Sequence, residues 1–286
     1  MINYLLYRLG QWLVLTLPIG LSYKIAEFFS DLHSLFARKD RTQVTENLKI
    51  IFPDKTPDQI QTIRIKMKRN FAKYLVDFFR FPIIDQAYIK NHVQIENIEY
   101  VKQVLSKGSG AVALTAHIGN WELAGVVTAL SGYDLWAVAL EHKEKMVNDF
   151  FNRQRSSKQI HVIPFSTAVR QCLKVLREKK VLALVGDRDF HGNGIVVDFF
   201  GKPTRLPLGP AVFSLKTGSP IIPGFLLRVG ELDNYKLVFE KPIPFVPTGD
   251  VEKDARELTL LGRDVLENYV RQYPDQWYMF RSFWLR

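Results

Sequence analysis

The distribution of apolar and polar residues changes in character at about Val93. Beyond this point, short apolar runs alternate with segments in which apolar residues recur every three or four positions. The runs predict strands and the periodic segments predict helices. Strands are predicted at 111–116, 135–140, 161–165, 181–186, 221–228 and 235–240, and helices at 121–130, 144–157, 167–179, 208–217 and 250–272. This alternation predicts an α/β fold with a mostly parallel central sheet and flanking helices.

The first 36 residues form a different, more apolar region. An uncharged stretch of 15 residues, LGQWLVLTLPIGLSY, lies between Arg8 and Lys24 and is interrupted by Pro18 and Gly20. It is shorter than the roughly 20 residues of a membrane-spanning helix, but its aromatic residues are typical of the membrane interface. We therefore predict a membrane-associating helical hairpin over residues 1–36 and an α/β domain over residues 37–286. Ordinary core helices are the alternative.

Two further helices are predicted before the sheet, at 38–51 and 57–80. In the second, apolar residues recur at helical spacing from Ile60 to Phe78. Its other face is basic, with Arg64, Lys66, Lys68, Arg69 and Lys73. Such a face is usually only solvated, but beside a membrane-associated hairpin it also suits contact with anionic lipid.

The net charge narrows the class of partner. The 286 residues include 39 basic and 29 acidic ones, a formal net charge of +10, which favours phosphates, an acidic protein or an anionic membrane surface. No nucleic-acid-binding motif accompanies the charge, so nucleic acid is not expected. The one cysteine, Cys172, excludes an internal disulfide and a metal site built from cysteines. Its helical surroundings predict a core position rather than a nucleophile.

The strongest candidate for chemistry is the segment GAVALTAHIGNWELAG, residues 110–125. His117 follows a predicted buried strand and therefore lies at the carboxyl edge of the sheet, where open α/β sheets hold their ligands. Asn120 is placed to cap the next helix, and Glu122 lies in its first turn. The imidazole can take a hydroxyl proton near neutral pH, and Glu122 is expected to hold its second nitrogen. The alternative is a capped helix beside a histidine without a catalytic role.

A second group of polar residues follows the strand at 181–186. Asp187 and Asp189 stand at the same sheet edge, and residues 195–200 are predicted as one arm of a hairpin. Positive charge nearby comes from Arg188, Lys202 and Arg205. This mixture suits an anionic substrate that bears hydroxyl groups. His191 with the two aspartates matches no standard metal-binding spacing, so no metal is expected.

These segments resemble those of a known family. The spacing of His117 and Glu122 resembles the His-x4-Asp/Glu motif of glycerolipid acyltransferases, and the surrounding sequence is similar to the bacterial lipid A biosynthesis acyltransferases, the lauroyl/myristoyl transferase family. The resemblance covers nearly the whole chain, through RTQVTENLKIIFP, TAHIGNWELAG, GDRDF, FFGKPTRLPLGPA, TGSPIIP and YPDQW. The middle blocks look closer to the branch that acylates phosphatidylinositol mannosides.

The resemblance implies a glycerolipid acyltransferase-like enzyme at the cytoplasmic face of the cell inner membrane. It would transfer a fatty acyl chain from acyl carrier protein or acyl-CoA to a hydroxyl of a glycolipid such as a lipid A precursor. A phosphatidylinositol mannoside or a lysophospholipid is the alternative acceptor. His117 would be the general base and Glu122 its orienting partner. Substrate contacts are expected from Asn120, Arg155, Asp187, Arg188, Asp189 and Arg205, with the three arginines holding phosphate groups. The resemblance also implies that Asp187 stands at an acidic position that is often paired with the histidine.

The sequence is also compatible with two other functions. A hydrolase would use the same pair of residues with water as the acceptor, and a non-catalytic basic protein would only coat a membrane surface. Direct transfer is favoured over an acyl-enzyme because no serine or cysteine is placed as a nucleophile. A thioester can be attacked without a metal, so no cofactor is expected. Donors for the developing oxyanion are expected from backbone N–H groups near Gly119 or from Arg155.

Overall fold

The computed structural model describes residues 1–190 and 192–285. Over these residues the chain forms eleven α-helices and nine β-strands. The helices are α1 Ile2–Thr16, α2 Ile19–Phe36, α3 Arg38–Ile51, α4 Pro57–Phe79, α5 Gln86–His92, α6 Glu99–Ser106, α7 Trp121–Leu130, α8 Lys145–Ser156, α9 Ala168–Arg177, α10 Gly209–Thr217 and α11 Val251–Gln272. The strands are β1 Val93–Glu96, β2 Ala111–Thr115, β3 Leu135–Ala139, β4 Ile160–Pro164, β5 Val181–Val185, β6 Ile195–Phe199, β7 Lys202–Leu206, β8 Ile221–Arg228 and β9 Tyr235–Phe239.

Seven of the described strands form one sheet, in the order β1-β9-β8-β2-β5-β3-β4. Neighbouring strands run parallel except for β8 and β9. The predicted fold class, a mostly parallel sheet with flanking helices, is therefore confirmed. All eight residues of β8 are buried, as expected for a strand covered on both faces.

The elements that the sequence did not predict are short and lack an apolar run. The edge strand β1, with sequence VQIE, buries only its first residue, and α5 and α6 have seven and eight residues. The strand β7, KPTRL, contains a proline and pairs with β6 in an antiparallel hairpin outside the main sheet. The strands β1 and β7 are therefore defined by hydrogen bonding to a neighbouring strand and not by an apolar sequence.

The N-terminal helices pack against α4 and share the core of the sheet. Val14 of α1 and Tyr23 of α2 belong to the same buried cluster as Leu226 and Leu237 of the sheet. Two residues of the basic face of α4 are paired: Arg69 contacts Asp31 of α2 at 2.6 Å, and Lys73 contacts Glu27 at 2.9 Å and Glu231 at 2.7 Å. Part of this face therefore fixes α2 on α4.

The outer sides of α1 and α2 expose large apolar side chains. They are Ile2, Leu5, Leu6, Leu9, Trp12, Leu13, Leu15, Leu21, Phe28, Phe29, Leu32, Leu35 and Phe36. Neither these two nor any other helix among the described residues combines the length and the hydropathy that a membrane crossing requires. An apolar surface of this extent is typical of a contact site rather than of a solvated face.

Candidate active site

His117 and Asp187 meet at the carboxyl edge of the sheet. Each follows its strand by two residues, and the strands β2 and β5 are parallel neighbours in which Thr115 pairs with Val185. The imidazole Nδ1 lies 2.7 Å from Oδ1 of Asp187, and the backbone N–H of His117 donates to Oδ2 at 3.1 Å. The indole N–H of Trp277 donates to the same Oδ2 at 2.9 Å. The register of two strands thus places a carboxylate directly on the histidine.

The surroundings of Asp187 keep its carboxylate ionised. Its side chain is fully buried, and burial alone would raise its pKa. The adjacent imidazole, the charge of Arg188 and the indole N–H of Trp277 outweigh burial and lower the pKa of Asp187 to about 2. An anionic acceptor at Nδ1 favours the tautomer with the proton on Nδ1. The other ring nitrogen, Nε2, is then free to accept a proton.

A C-terminal segment clamps the loop that carries His117. The N–H of Tyr278 donates to the carbonyl of His117, and the N–H of Gly119 donates to the carbonyl of Gln276, both at 2.8 Å. Gly119 has φ of +60°, and a Cβ there would lie 2.0 Å from the carbonyl oxygen of Leu226. Only glycine fits this position. Backbone contacts on both sides therefore fix the direction of the imidazole.

The prediction that Glu122 holds the imidazole is wrong, because Asp187 occupies that position. Glu122 instead pairs with Arg155 of α8, whose Nη2 lies 2.6 Å from Oε1 and whose Nε lies 2.9 Å from Oε2. This pair is almost fully buried. Burial disfavours the charged guanidinium, but Glu122 outweighs it and raises the pKa of Arg155. Both residues line the cavity described below.

Two predicted substrate contacts are corrected. Asn120 is buried; its Oδ1 caps α7 by accepting from Leu123 N–H at 3.0 Å, and its Nδ2 donates to Asp77 at 2.9 Å. Asn120 therefore caps the helix, as predicted, but is closed to substrate. Arg205 does not line the cavity, and its Nη1 donates to the carbonyl of Gly194 at 2.9 Å. It supports a loop instead.

Two other predicted contacts, Arg188 and Asp189, do line the cavity. Arg188 donates through Nη2 to the carbonyl of Tyr278, and its Nε is buried without a partner among the described residues. Asp189 accepts from the N–H groups of Gly192 and Gly194, at 3.1 and 2.8 Å. His191, considered above as a metal ligand, lies outside the described residues.

The cavity has a volume of about 960 Å³ and extends from His117 along one face of the sheet. Its floor includes Ala113, Ala183 and Ala137, which lie side by side on the adjacent strands β2, β5 and β3. On the opposite side, α7 contributes Ala124, Gly125 and Thr128. Small side chains on both walls leave the space open. The exposed apolar residues Leu140, Phe165, Val169 and Phe190 also line it.

Sequence reasoning missed the contributions of Thr115, Tyr74 and Trp277. Thr115 lines the cavity, and its hydroxyl is buried without a partner in the described structure. Because it precedes His117 by two positions at the end of a strand, its place near the site was open to prediction. Tyr74 stacks on Trp121 with ring centroids 4.4 Å apart. It comes from α4, a helix with no sequence signal of a catalytic role.

No metal centre is evident among the described residues: none of their His, Cys, Asp and Glu side chains form a group of three that could hold an ion. The polar end of the cavity is made instead by a histidine–carboxylate pair, a buried ion pair and two unpartnered donors. Chemically, this arrangement can remove a proton and bind a negatively charged oxygen beside an apolar channel.

Comparison with known proteins matches the whole chain, residues 1–286, to the family described as bacterial lipid A biosynthesis acyltransferase. A phosphatidylinositol mannoside acyltransferase of Mycobacterium tuberculosis is 27% identical over 98% of this chain and 87% of its own length. One of Mycolicibacterium smegmatis is 28% identical over 82% and 75%. A lipid A biosynthesis acyltransferase of Haemophilus influenzae is 20% identical over 84% and 74%.

Proposed function

Since the chain belongs to the bacterial lipid A biosynthesis acyltransferase family and is an acyltransferase, we propose that it transfers a fatty acyl chain from a thioester to a hydroxyl of a membrane glycolipid. The observation that carries this proposal is the His117–Asp187 pair at the end of a cavity of about 960 Å³ with an apolar floor. The site therefore combines a proton acceptor with a channel suited to an acyl chain.

His117 acts as the general base. With Nδ1 donating to Asp187, Nε2 takes the proton of the acceptor hydroxyl as the hydroxyl oxygen attacks the thioester carbonyl. A new ester bond forms, the carbon–sulfur bond breaks, and the imidazolium returns its proton to the leaving thiolate. Asp187 remains ionised and stabilises the imidazolium during transfer.

Thr115 Oγ and Arg188 Nε supply the hydrogen bonds for the developing oxyanion. The donors expected from the sequence are already used: Gly119 N–H donates to Gln276, and Arg155 donates to Glu122. Thr115 and Arg188 line the cavity and carry buried donors that have no other partner in the described residues. A donor that stays unpaired in the resting enzyme is available to the transition state.

Transfer takes place directly, without an acyl-enzyme. The described residues that line the cavity include no serine and no cysteine. Cys172 is buried in a different part of the core, where burial raises the pKa of its thiol to about 12. A thiol with such a pKa is not a nucleophile near neutral pH.

The acceptor to test first is a glycosylated phospholipid, with a lipid A precursor and a lysophospholipid next. The identities of 27% and 28% to phosphatidylinositol mannoside acyltransferases, against 20% to a lipid A acyltransferase, support this order. The donor is acyl carrier protein or acyl-CoA. Both donors carry phosphate groups, which agrees with the net charge of +10.

The enzyme works at an anionic membrane surface, at the cytoplasmic face of the inner membrane, with α1 and α2 lying in the interface. Their exposed apolar side chains support this part of the proposal. They are also close to the cavity, since the ring of Tyr7 in α1 contacts that of Phe151 at a centroid distance of 5.5 Å, and Phe151 lines the cavity. A lipid acceptor would therefore approach the site from the membrane side.

Purified protein incubated with acyl-CoA or acyl carrier protein and with each acceptor class, followed by mass spectrometry, tests the proposal. Acylated lipid is expected from wild-type protein and from His161→Ala, which alters an exposed histidine outside the cavity. The His117→Ala variant should form almost none. Release of free fatty acid without acylated lipid would instead identify a hydrolase. No turnover of any thioester would favour the non-catalytic membrane-binding protein.

A further inference from the structure

Three cationic side chains of α3 and α4 lie close enough to act on one another electrostatically, and none of them lines the cavity. They are Arg41 of α3 and Arg64 and Lys68, which are one turn apart on α4. Arg64 acts electrostatically on Lys68, and Arg41 on both. Asp40 is the carboxylate that acts on Lys68, but it forms no ion pair with it in the described structure. Three cations and one carboxylate leave this cluster with two excess positive charges.

Two donors of this cluster have no partner. Lys68 is only 8% exposed, and its Nζ is buried without a hydrogen-bond partner among the described residues. The Nε of Arg64 is in the same state. By contrast, Arg69 and Lys73 on the same helix are both paired with carboxylates. Among the described residues of α4, the buried donors without a partner therefore lie on one side of the helix.

A buried cation without a counter-ion destabilises the fold. Burial lowers the pKa of Lys68, and the charges of Arg64 and Arg41 lower it further against the opposing effect of Asp40. Loss of a proton from Lys68 would not neutralise the cluster, because arginine stays protonated. An external anion would satisfy both unpartnered donors. Phosphate suits the set, since it accepts several hydrogen bonds from guanidinium and ammonium groups at once.

The position of the cluster indicates where this phosphate comes from. Arg41 donates through Nη1 to the carbonyls of Ser34 and Leu35, at 2.9 and 3.3 Å, at the C-terminal end of α2. In that last turn Leu35 and Phe36 are 65% and 80% exposed. In the function proposed above, on which this inference rests, these side chains enter the membrane. The cluster then lies at the depth of the lipid headgroups.

We propose that Arg41, Arg64 and Lys68 bind the phosphate group of an anionic phospholipid, at a site separate from the acyl-transfer cavity. This lipid holds the enzyme at the membrane surface and is not consumed in the reaction. From the sequence, the whole basic face of α4 was a candidate for contact with lipid. The lipid contact proposed here involves only the side of α4 that carries Arg64 and Lys68.

The test compares Lys68→Met with Lys66→Met, which removes the same charge from an exposed position on the same helix. Lys68→Met is expected to fold, because replacing a buried unpaired charge by an apolar side chain is neutral or stabilising. Full-length proteins are sedimented with phosphatidylcholine vesicles, with and without phosphatidic acid, at physiological ionic strength. Lys68→Met should weaken binding to the acidic vesicles about tenfold, and Lys66→Met much less.

Thermal unfolding in inorganic phosphate, against sodium chloride of equal ionic strength, gives an independent measurement. Phosphate should raise the Tm of wild type and Lys66→Met but not of Lys68→Met. Equal vesicle binding by the two variants would overturn the proposal. A phosphate-dependent Tm with unchanged vesicle binding would identify free phosphate as the ligand and overturn the lipid assignment. If wild type binds neither kind of vesicle, membrane attachment itself is overturned. The rate of acyl transfer to detergent-solubilised lipid should be the same for Lys68→Met and for wild type, because the cluster lies outside the cavity.

Discussion

Two groups of buried polar side chains hold the two ends of the loop from His117 to Asn120, and they differ in how completely their hydrogen bonds are satisfied. The Asp77 cluster consists of Tyr23, Asp77, Asn120 and Arg228. The His117 cluster consists of Thr115, His117, Asp187 and Arg188. In the first, every buried side-chain donor and acceptor has a partner within the described structure, whereas Thr115 and Arg188 of the second each have an unpartnered atom.

The Asp77 cluster is closed. Asp77 accepts from Tyr23, Arg228 and Asn120, and Arg228 donates further to the carbonyl of Leu232 at 2.8 Å. The guanidinium also lies over the rings of Tyr23 and Tyr235, 4.8 and 4.9 Å from their centroids. Fully satisfied buried networks stabilise one arrangement of the chain. This one joins α2, α4, β8 and the N-terminus of α7.

This difference in hydrogen bonding indicates a structural role for the Asp77 cluster and a catalytic role for the His117 cluster. A donor that is already paired in the resting protein is not available to a substrate oxygen, whereas an unpartnered buried donor lowers stability until a substrate oxygen accepts from it. Substitutions in the Asp77 cluster should therefore act mainly on stability, and substitutions in the His117 cluster mainly on turnover. Four predictions test this division, from the largest effect to the smallest.

The largest effect is expected for His117→Ala. Loss of the general base should lower kcat by 10²–10⁴-fold, about 3–5 kcal/mol of barrier. The free energy of unfolding should fall by about 2 kcal/mol at most, because Asp187 loses the imidazole but still accepts from the backbone N–H of residue 117 and from the indole N–H of Trp277. Steady-state kinetics and urea unfolding of the same preparation measure both quantities. A folded variant with near-normal turnover would remove His117 from the mechanism.

The opposite result is expected for Asp77→Ala. It leaves Arg228 buried without its carboxylate, so the free energy of unfolding should fall by about 3–5 kcal/mol. Asp31→Ala is the control, because the pair of Asp31 with Arg69 is solvent-exposed and should contribute less than about 1 kcal/mol. Denaturant unfolding compares the two. Equal losses would show that the Asp77 cluster stabilises no more than a surface ion pair.

The ionisation of Asp187 predicts a specific dependence of stability on pH. Its pKa falls from 3.8 to about 2 in the folded protein, so its contribution is fully present above about pH 4 and is lost as the pH falls towards 2. The magnitude is about 2 kcal/mol. Unfolding of wild type and Asp187→Asn between pH 5 and pH 2 measures it. If both proteins lose stability equally over this range, the carboxylate is not held as described.

The same comparison shows what sequence could predict. Apolar runs and helical periodicity were sufficient for the fold class, and a strand end was sufficient to place His117 at the sheet edge. Apolar patterning could not pair His117 with Asp187, because β3 and β4 separate β2 from β5 along the chain but not in the sheet. Only the family resemblance connected the two residues. Strand order depends on packing over the whole domain. Glu122 was therefore assigned by proximity in sequence, while its contact, Arg155, lies 33 residues away.

The smallest effect is expected for substitution of Thr115, which tests whether an unpartnered donor of the His117 cluster acts on turnover and not on stability. Thr115→Val exchanges a hydroxyl for a methyl group of similar size and removes a buried donor that has no partner in the described residues. The free energy of unfolding should stay the same or rise by about 1 kcal/mol, because an unsatisfied polar group is lost. Turnover should fall about tenfold, since the transition state loses one hydrogen bond worth about 1.4 kcal/mol.

The matched control for this substitution is Thr128→Val. Thr128 also lines the cavity, but its hydroxyl donates to the carbonyl of Ala124 at 2.8 Å within α7. The same change of shape and polarity should therefore leave kcat within about twofold of wild type, because this donor is already engaged in the resting enzyme. Equal losses of kcat in the two variants would mean that cavity shape, and not the free hydroxyl of Thr115, governs turnover. A loss confined to Thr115→Val, without a loss of stability, would identify an unpartnered donor whose hydrogen bond forms only during the reaction.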